Sequence, residues 1–386
     1  MFIDAMAGET VAAVLFTLSL AAVVYTLGCY PLLLGYLARR KRATEMQKGA
    51  ARSVTAIIAV HNGGRFLADK LQSLLALHYP QELLDIIVVS DGSTDDTDEI
   101  ARGFSANRVR LIRVPRGGKP AALNAALPEA TSELLFMTDV RQRLDPDALV
   151  RLTERFGDPA VGVASGEVVI LAGATQEEQD LGLYRRYENW IRNALARLDS
   201  IFGATGAIYV IRRDLAGPMP RDTLLDDMYL PLGAFFKGYR LVFVPAARAY
   251  DYPTRLNSEF RRKVRTLAGN FQIMWQYPML SRRNRMRFHF VSYKLARLLL
   301  PWALLLAGVS SFFLRPPFQW IALGGQAAFY LLAALDPWIP QGSFPKRLSS
   351  VVRTFSVLML ATLAAVSVFF VRPQNLWRET RVDNPR

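Results

Sequence analysis

Cysteine is almost absent from the 386-residue sequence, which contains Cys29 alone. A single cysteine excludes an intramolecular disulfide framework and a zinc site built from thiolates. Two nucleotide-binding loops are absent as well: no segment matches G-x-x-x-x-G-K-S/T, and the turn after the first predicted strand, AVHNGGRF, does not match G-x-G-x-x-G. The sequence therefore gives no support for a P-loop protein or a nicotinamide-binding protein.

Acidic residues are few, since 33 Asp and Glu against 47 Lys and Arg leave a formal charge of +14. Such a charge ordinarily suggests nucleic acid, an anionic membrane surface or a phosphorylated ligand. A hydrophobic content of 51% excludes a disordered basic tail and disfavours a soluble nucleic-acid binder. Residues 39–52 and 255–287 carry +5 and +8, and both stretches adjoin long apolar segments. The charge therefore indicates membrane topology, and we expect no nucleic-acid partner.

Four long apolar segments interrupt the chain. Residues 11–37 form an uncharged run of 27 residues, more than the roughly 20 that a helix needs to cross a bilayer. Basic residues follow directly, so the positive-inside rule places residue 1 outside and the next domain in the cytoplasm. The other segments, 295–314, 318–335 and 351–371, predict a multi-pass protein of the inner or plasma membrane.

The last apolar segment leaves the topology open. If all three C-terminal segments cross, the tail lies outside, although its four arginines against two acidic residues favour the cytoplasm. Either the last segment is partly interfacial or the tail tolerates the outer face. The predicted organisation is an N-terminal transmembrane helix (1–38), a basic linker (39–52), an α/β domain (53–254), a basic helical or interfacial segment (255–292), C-terminal transmembrane or interfacial helices (293–371) and a tail (372–386).

Strand-like and helix-like patterns alternate in the domain between the spans. Short apolar runs at 54–60, 85–89, 109–114 and 134–137 predict buried strands, with helical spacing between them. Such alternation predicts an α/β fold with a mainly parallel sheet flanked by helices. Ligands in these folds bind beyond the carboxyl ends of the strands.

Two of the strand ends carry aspartates, Asp91 and Asp139. Between them, Gly117 and Gly118 allow the backbone to approach a ligand, and Lys119 stands at the start of the next predicted helix. A lysine at a helix N-terminus after two glycines suits phosphate. Each aspartate alone is also typical of an ordinary turn, so the prediction of a ligand site rests on their combination.

Seven motifs follow one another between residues 53 and 275: VTAIIAVHN, VVSDGSTDDT, GGKPAALNAAL, FMTD, GATGAIYVIRR, LLDDMYL and FRRKVRTLAGN. In these motifs the sequence resembles the inverting glycosyltransferases of family 2. That family has the GT-A fold and includes cellulose, hyaluronan and chitin-oligosaccharide synthases and exopolysaccharide glycosyltransferases. The membrane plan, with one span before the domain and several after it, is also similar to that of the family.

The resemblance implies a GT-A, Rossmann-like mixed sheet and a membrane-bound enzyme that transfers a hexosyl or N-acetylhexosaminyl group. The expected donor is a nucleotide sugar, specifically a UDP-sugar, and the expected cofactor is Mg²⁺ or Mn²⁺. The acceptor would be a lipid-linked or membrane-proximal glycan in exopolysaccharide or cell-surface biosynthesis, with other polysaccharide-assembly proteins as partners. Two alternatives stay open: a processive polysaccharide synthase, and a non-catalytic nucleotide-sugar-binding regulator of a partner synthase.

Carried over residue by residue, the resemblance also implies roles for individual side chains. A divalent ion and cations would neutralise the leaving diphosphate, and a carboxylate would take the proton of the attacking hydroxyl. One of Asp226 and Asp227 would be this general base. The other implied roles are Asp91 and Lys119 at the nucleotide, Asp139 as metal ligand and first acid of a D-x-D motif, and Arg265 at the diphosphate.

A local motif distinguishes Asp226 from Asp227. Thr223-Leu-Leu-Asp226 fits a capping box, which predicts that Thr223 caps a helix and that Asp226 reaches back to the cap. Asp227 lies about 100° further round the helix and stays free to face the site. It also aligns with the family's base, so we predict Asp227 as the catalytic base.

The sequence departs from the family at two motifs. Two residues after Asp139 comes Arg141, a cation in place of the second acid. Arg141 then offsets diphosphate charge, or Asp139 holds the ion with water and phosphate oxygens, or Arg141 simply faces solvent. In the family's Q-x-x-R-W motif, Arg265 is kept, whereas Arg262 and Thr266 replace Gln and Trp. Loss of that tryptophan, a stacking platform in processive synthases, favours a single addition.

Two further features have alternative interpretations. His61 ends the first strand, where it either contacts the nucleotide or closes a turn. The small residues of 203–210 either let an acceptor sugar approach the backbone or form a core strand after a tight turn.

Overall fold

A computed structural model describes residues 2–41, 49–171, 176–251 and 256–371, with side chains described except at 2–7, 176–184 and 256–259. Part of the predicted basic linker, 42–48, and the whole predicted tail, 372–386, lie outside the described residues. Within the described ranges, an α/β domain is joined to a set of long apolar helices.

The described residues form one eight-stranded sheet. Its strands are β1 (Val54–Val60), β2 (Leu84–Asp91), β3 (Val109–Val114), β4 (Leu134–Met137), β5 (Arg143–Leu144), β6 (Val161–Ile170), β7 (Tyr209–Arg212) and β8 (Arg240–Asp251). Across the sheet the order is β3-β2-β1-β4-β7-β6-β8-β5. Strands β1 to β4 pair in parallel, as do β6 and β8, whereas β7 is antiparallel to both of its neighbours and β5 to β8. The predicted mixed, mainly parallel sheet is confirmed.

Helices flank this sheet and extend from it. They are α1 (Phe2–Val24), α2 (Tyr30–Arg40), α3 (Gly64–Leu75), α4 (Thr97–Gly103), α5 (Lys119–Ala126), α6 (Ala148–Thr153), α7 (Gln176–Leu198), α8 (Asp226–Phe236), α9 (Leu256–Gln276), α10 (Arg287–Phe290), α11 (Ala296–Ser311), α12 (Phe318–Leu335) and α13 (Phe344–Ala365). A π-helical turn joins α1 to α2, and a second one, Val291–Leu295, joins α10 to α11.

The sheet separates two apolar cores, because successive side chains of a strand point to opposite faces. On one face Ile58 of β1 packs in a cluster with Leu67 and Leu71 of α3. On the other face Ile57 belongs to a cluster that includes Ile191 of α7. Burial on both faces explains why the first strands are nearly continuous apolar runs.

The first apolar segment is a helical run whose second half belongs to the α/β domain. Tyr30, Leu34 and Ala38 of α2 are buried in the same cluster as Ile57. Gly35 permits this packing, since a Cβ there would lie 2.9 Å from Cζ2 of Trp190 in α7. The run before Tyr30 instead exposes large apolar side chains, at Val11, Val14, Leu18, Leu20 and Val24.

By length and composition, four helical segments of the described residues can cross a membrane: Gly8–Arg40, Arg287–Ser311, Phe318–Trp338 and Phe344–Phe369. Arg315, in the turn after α11, forms an ion pair with Glu9 near the start of α1. Glu9 precedes the buried Tyr30 by 21 residues. That separation is about 32 Å along a helix, so the ion pair lies about one bilayer thickness from the α/β domain.

The last apolar helix returns to the α/β domain. Ala365, at the end of α13, is buried against Ala268 of α9 and Leu224. The segment that leads into α11 also starts in the domain, because Phe290 of α10 is buried in its core. Both ends of the C-terminal helical region therefore contact the same domain.

Candidate active site

A cavity of about 450 Å³ is lined by residues of α7, α8 and α9, by the segment after β4 and by the loop before β7. Five residues predicted from the sequence line it together: Lys119, Asp139, Asp226, Asp227 and Arg265. They come from four elements that are far apart in the chain, so the fold alone brings them together.

Asp91 is buried at the end of β2 and holds the glycine turn. Its Oδ1 accepts a hydrogen bond from Gly117 N at 2.7 Å, its Oδ2 accepts one from Gly118 N at 3.0 Å, and Arg116 pairs with it. Gly118 has a φ of 85°, a left-handed conformation that favours glycine. Asp91 therefore orders the turn that presents Lys119, while its contact with a nucleotide stays a prediction.

Two other predicted site residues have partners inside the domain. His61 Nδ1 donates to the carbonyl oxygen of Asp91 at 2.8 Å, so it closes the turn between two strand ends. Arg141 pairs at 2.5 Å with Asp251, which is buried and also accepts a hydrogen bond from Gln142. The alternative in which Arg141 faces solvent is wrong, because its guanidinium is committed to a buried carboxylate.

Lys119 begins α5 and bridges two carboxylates. Its Nζ lies 2.8 Å from Asp139 Oδ1 and 3.0 Å from Asp226 Oδ2. Burial alone would lower the pKa of Lys119, but the charges of Asp139 and Asp226 raise it above its ordinary value. Burial alone would raise the pKa of Asp139, but Lys119 holds it below the usual range. With its side chain 38% exposed, Asp139 faces the cavity as an ionised carboxylate.

Asp226 and Asp227 open α8 without the predicted capping box. The helix begins at Asp226, and its N-cap is Leu225, with φ −126° and ψ 82°. Thr223 therefore precedes the helix, and among the described residues its buried hydroxyl has no hydrogen-bond partner. The predicted cap is wrong because the non-helical backbone of Leu225 separates Thr223 from the first turn. The ion pair with Lys119 holds Asp226 instead.

Asp227 faces the loop 203–207. Its Oδ2 accepts a hydrogen bond from Gly206 N at 3.1 Å, and its carbonyl oxygen accepts one from Ala204 N at 2.7 Å. Burial and then the charge of Asp226 raise the pKa of Asp227 to about 6, although Lys119 opposes this. Such a carboxylate is ionised near neutral pH and accepts a proton more readily than an ordinary aspartate, as a general base requires. The role of Asp227 stays a prediction that this environment supports.

Each of the two alternatives for the small-residue segment 203–210, a surface for a ligand and a core strand, applies to one part of it. Residues 203–207 line the cavity, whereas Ile208 and Val210 are fully buried. Arg192 of α7 holds the loop, with its guanidinium donating to Thr205 Oγ1 at 2.6 Å. The first part of the segment is thus accessible to a ligand, and the second part is core.

Lys70 of α3 is a site residue that the sequence interpretation missed. Its Nζ donates to Thr138 Oγ1 at 2.6 Å and to the carbonyl oxygen of Gln142 at 2.8 Å, on either side of Asp139. Thr138 Oγ1 donates in turn to the carbonyl oxygen of Ala207 at 2.7 Å. Lys70 therefore anchors the turn that carries Asp139 and, through Thr138, links this turn to the cavity loop 203–207.

The acids of the cavity fit a divalent ion in a limited way. Among the described residues there is no group of three or more His, Cys, Asp or Glu side chains that could hold a metal. Asp139 and Asp226 already share the ammonium of Lys119. Mg²⁺ commonly uses one or two carboxylates together with substrate phosphates. Asp139 therefore fits such an ion only in combination with phosphate oxygens of a bound substrate.

Two family models match the chain. Glycosyl transferase family 2 covers residues 55–217, and Glycosyl transferase family group 2 covers residues 139–335, about half of the chain. The chain belongs to the family 2 glycosyltransferases. All the predicted site residues of this family 2 chain, from His61 to Arg265, lie within the two matches.

Curated relatives in the family match at low identity. Probable glycosyltransferase YdaM from Bacillus subtilis (strain 168) is 24% identical over 237 residues, which are 58% of this chain and 56% of that protein. Poly-beta-1,6-N-acetyl-D-glucosamine synthase from Staphylococcus aureus (strain COL) is 24% identical over 233 residues, which are 57% of this chain and 55% of that protein. The chain thus spans little more than half the length of the curated relatives it matches.

A solved structure confirms the GT-A fold of this family 2 chain. Mannosyltransferase PcManGT from Pyrobaculum calidifontis, in complex with GDP-Man and Mn²⁺, aligns with 94% of this chain and 99% of its own, with a TM-score of 0.72. The two sequences are 22% identical, so the likeness establishes the fold alone.

Proposed function

We propose that the chain is a membrane-bound inverting glycosyltransferase that moves a sugar from a UDP-sugar to a lipid-linked or membrane-proximal glycan acceptor. The observation that carries the proposal is one cavity in which Lys119 and Arg265 lie with Asp139, Asp226 and Asp227. The Staphylococcus relative, a poly-N-acetylglucosamine synthase, and the fold neighbour solved with GDP-Man and Mn²⁺ support a nucleotide-sugar donor.

Each charged group of the cavity has a task in a single displacement. Asp227 accepts the proton of the acceptor hydroxyl as the hydroxyl oxygen bonds to the anomeric carbon. The bond from that carbon to the donor phosphate oxygen breaks, and its electron pair leaves with the nucleoside diphosphate. Lys119 and Arg265 stabilise the negative charge that develops there. Asp139 would hold Mg²⁺ or Mn²⁺ with donor phosphate oxygens, which would add Lewis-acid stabilisation.

We expect the transfer rate to fall at low pH with an apparent pKa near 6. Burial and the charge of Asp226 raise the pKa of Asp227 to about 6, and only its ionised form accepts a proton. Activity is therefore full above this pKa and decreases about tenfold per pH unit below it. The measurement is kcat/KM for the donor across the acidic and neutral range.

Asp226→Asn provides the control for this pH profile. Removing the neighbouring negative charge lowers the pKa of Asp227, so the acidic limb moves to lower pH. An acidic limb that stays in place in Asp226→Asn would show that another group titrates.

Lys70→Met is expected to raise KM for the donor about tenfold. The Asp139 turn loses two hydrogen bonds from Lys70 Nζ, to Thr138 and Gln142. Burial lowers the pKa of Lys70 to about 7, so each bond is given the contribution of an ordinary hydrogen bond, about 0.5–1.5 kcal/mol, and about 1.4 kcal/mol corresponds to a factor of ten. The matched control is Lys237→Met, at an exposed lysine of the same domain, which should leave KM unchanged. A wild-type KM in Lys70→Met would contradict the anchoring role.

Single addition is favoured over processive synthesis. Thr266 lines the cavity at the position where the family motif has its stacking tryptophan. Trp275 does not replace it, because this residue is 77% exposed and is not among those that line the cavity. A ladder of products from one acceptor would contradict this part of the proposal.

The catalytic domain lies in the cytoplasm, and the chain returns to that side after α13. Two observations support this proposal: Glu9 and Arg315 pair about one bilayer thickness from the domain, and Ala365 packs against α9 of the domain. Helices α12 and α13 together then make one net crossing. The positive-inside rule independently favours a cytoplasmic position for the four arginines that follow residue 371 in the sequence.

Reporter fusions test this topology. A fluorescent protein fused after residue 371 should fluoresce, and alkaline phosphatase fused there should be inactive, because both report a cytoplasmic position. The matched control is a fusion after Pro317, between α11 and α12, which should give the opposite pattern. Active phosphatase after residue 371 would mean that α12 and α13 both cross.

Nucleotide release tests the proposed function itself. The full-length protein in nanodiscs is supplied with UDP-N-acetylglucosamine, UDP-glucose or GDP-mannose, with and without a membrane lipid extract. We expect release of UDP from one donor, stimulated by the lipid extract. A non-catalytic regulator would bind a donor without releasing nucleotide, and that result would overturn the proposal.

A further inference from the structure

Arg192 of α7 lines the cavity and contacts the cavity loop and strand β6 together. Its guanidinium donates to Thr205 Oγ1 at 2.6 Å, to Ser165 Oγ at 3.0 Å and to the carbonyl oxygen of Gly203 at 3.4 Å. The guanidinium also lies over the ring of Phe243, with Cζ 4.6 Å from the ring centroid. Arginine stays charged in proteins and its planar group binds several acceptors at once. One side chain therefore fixes the loop to the strand.

Thr205 is the residue through which the loop is attached. Its backbone N–H donates to Ser165 Oγ at 2.9 Å, and its hydroxyl donates to the carbonyl oxygen of Gly166 at 3.1 Å. Ser165 is fully buried, so this attachment is shielded from water. The other four residues of the loop are glycines and alanines, whose side chains have no polar group. The side-chain bonds that fix the loop are therefore those of Thr205 and its partner Arg192.

Both chain neighbours of Thr205 bind Asp227. The N–H of Gly206 donates to Oδ2 of Asp227 at 3.1 Å, and the N–H of Ala204 donates to the carbonyl oxygen of Asp227 at 2.7 Å. The fit is close, since a Cβ on Gly206 would lie 3.2 Å from Oδ2 of Asp227. A shift of Thr205 would therefore move both contacts between the loop and Asp227.

We infer that Arg192 is the positioning residue of the catalytic base: by holding Thr205, it sets where the cavity loop places the carboxylate of Asp227. The inference rests on the proposed function, because it takes Asp227 as the base. A displacement of about 1 Å from a productive geometry can cost about 10²-fold in rate. Arg192 then acts on the rate of transfer, whereas donor binding depends on Lys119 and Arg265.

Steady-state kinetics of the full-length protein in nanodiscs test this role. We expect Arg192→Met to lower kcat about 10²-fold and to leave KM for the donor close to the wild-type value. Arg192→Lys keeps the charge and should recover part of the rate. The matched control is Arg197→Met, at an exposed arginine of the same helix, which should change neither constant.

Thr205→Val separates positioning from charge, because it removes the hydroxyl that Arg192 binds and leaves the guanidinium in place. We expect kcat to fall about tenfold, the equivalent of about 1.4 kcal/mol, with KM for the donor unchanged. Combining Thr205→Val with Arg192→Met should give a protein little slower than Arg192→Met alone, since residues that act as a unit are not additive.

Hydrogen exchange of the cavity loop gives a readout that needs no activity. The bond from Gly206 N–H to Asp227 protects that amide in the wild-type protein. Loss of the attachment should make the loop amides exchange about tenfold faster in Arg192→Met and in Thr205→Val. The Arg197→Met control should exchange like the wild type.

Four results would overturn the inference: wild-type kcat in Arg192→Met, a loss there that Thr205→Val does not share, additive losses in the combined variant, or unchanged exchange of the loop. The second result would show that the cation acts by its charge alone. If Arg192→Met does not fold, Thr205→Val decides, and a wild-type kcat in it contradicts the inference. Failure of the proposed function would be seen separately, as no nucleotide release from any donor while exchange of the loop still depends on Arg192.

Discussion

Asp227→Asn is expected to lower kcat for sugar transfer by about 10²- to 10⁴-fold, the range that general acid–base catalysis contributes. Asparagine cannot accept the proton of the acceptor hydroxyl. Its side-chain oxygen can still accept the hydrogen bond from Gly206 N, so the cavity loop keeps its position. KM for the donor should therefore stay close to the wild-type value. A transfer assay at saturating donor and acceptor measures the loss.

Asp226→Asn is the matched control, because it changes the adjacent acid by the same substitution. Asp226 pairs with Lys119, so its loss should weaken donor binding and leave the base in place. We expect a higher KM and a smaller decrease in kcat than for Asp227→Asn. Near-normal kcat in Asp227→Asn, or a larger loss in Asp226→Asn, would reverse the assignment of the base.

Lys119→Met should lower kcat/KM for the donor by about 10²- to 10³-fold, the cost of removing one preorganised group that stabilises developing charge. The ammonium lies 2.8 Å from Asp139 and 3.0 Å from Asp226, so its removal leaves the acids of the cavity without their shared cation. Because Lys119 lowers the pKa of Asp227, the acidic limb of the pH profile should also move to higher pH. Steady-state kinetics at several pH values measure both effects.

Lys119→Arg provides the comparison, since it keeps the charge and changes its geometry. We expect it to retain the position of the acidic limb and to recover part of the rate. If Lys119→Met leaves both the rate and the acidic limb unchanged, Lys119 has only a structural role at the start of α5 and does not stabilise the developing charge.

The first half of the fold could be predicted from local patterns, whereas later pairings could not. Strands β1 to β4 are short apolar runs that end at turns, and their parallel order follows from the alternation with helices. The insertion of antiparallel β7 between β4 and β6 is a long-range pairing that no local pattern encodes. Likewise, the first apolar run is uniform in sequence, so nothing marks Tyr30 as the point where packing on the domain begins.

The residues of the candidate site also fall into those that local sequence patterns predict and those that they do not. Asp139 and Lys119, which line the cavity, could be singled out because a strand end and a helix start mark them in the sequence. The Arg141 to Asp251 ion pair could not, because its partners are 110 residues apart. The burial of Lys70, by contrast, could have been predicted from the sequence. Lys70 lies at helical spacing from Leu67 and Leu74, so it falls on the buried face of α3.

The anomeric configuration of the product tests the central claim most directly. With one base, Asp227, and direct displacement of the nucleoside diphosphate, each transfer inverts the anomeric carbon. Proton NMR of the isolated product should therefore show the configuration opposite to that of the donor sugar. A product that retains the donor configuration would contradict the single displacement and the role of Asp227 in it.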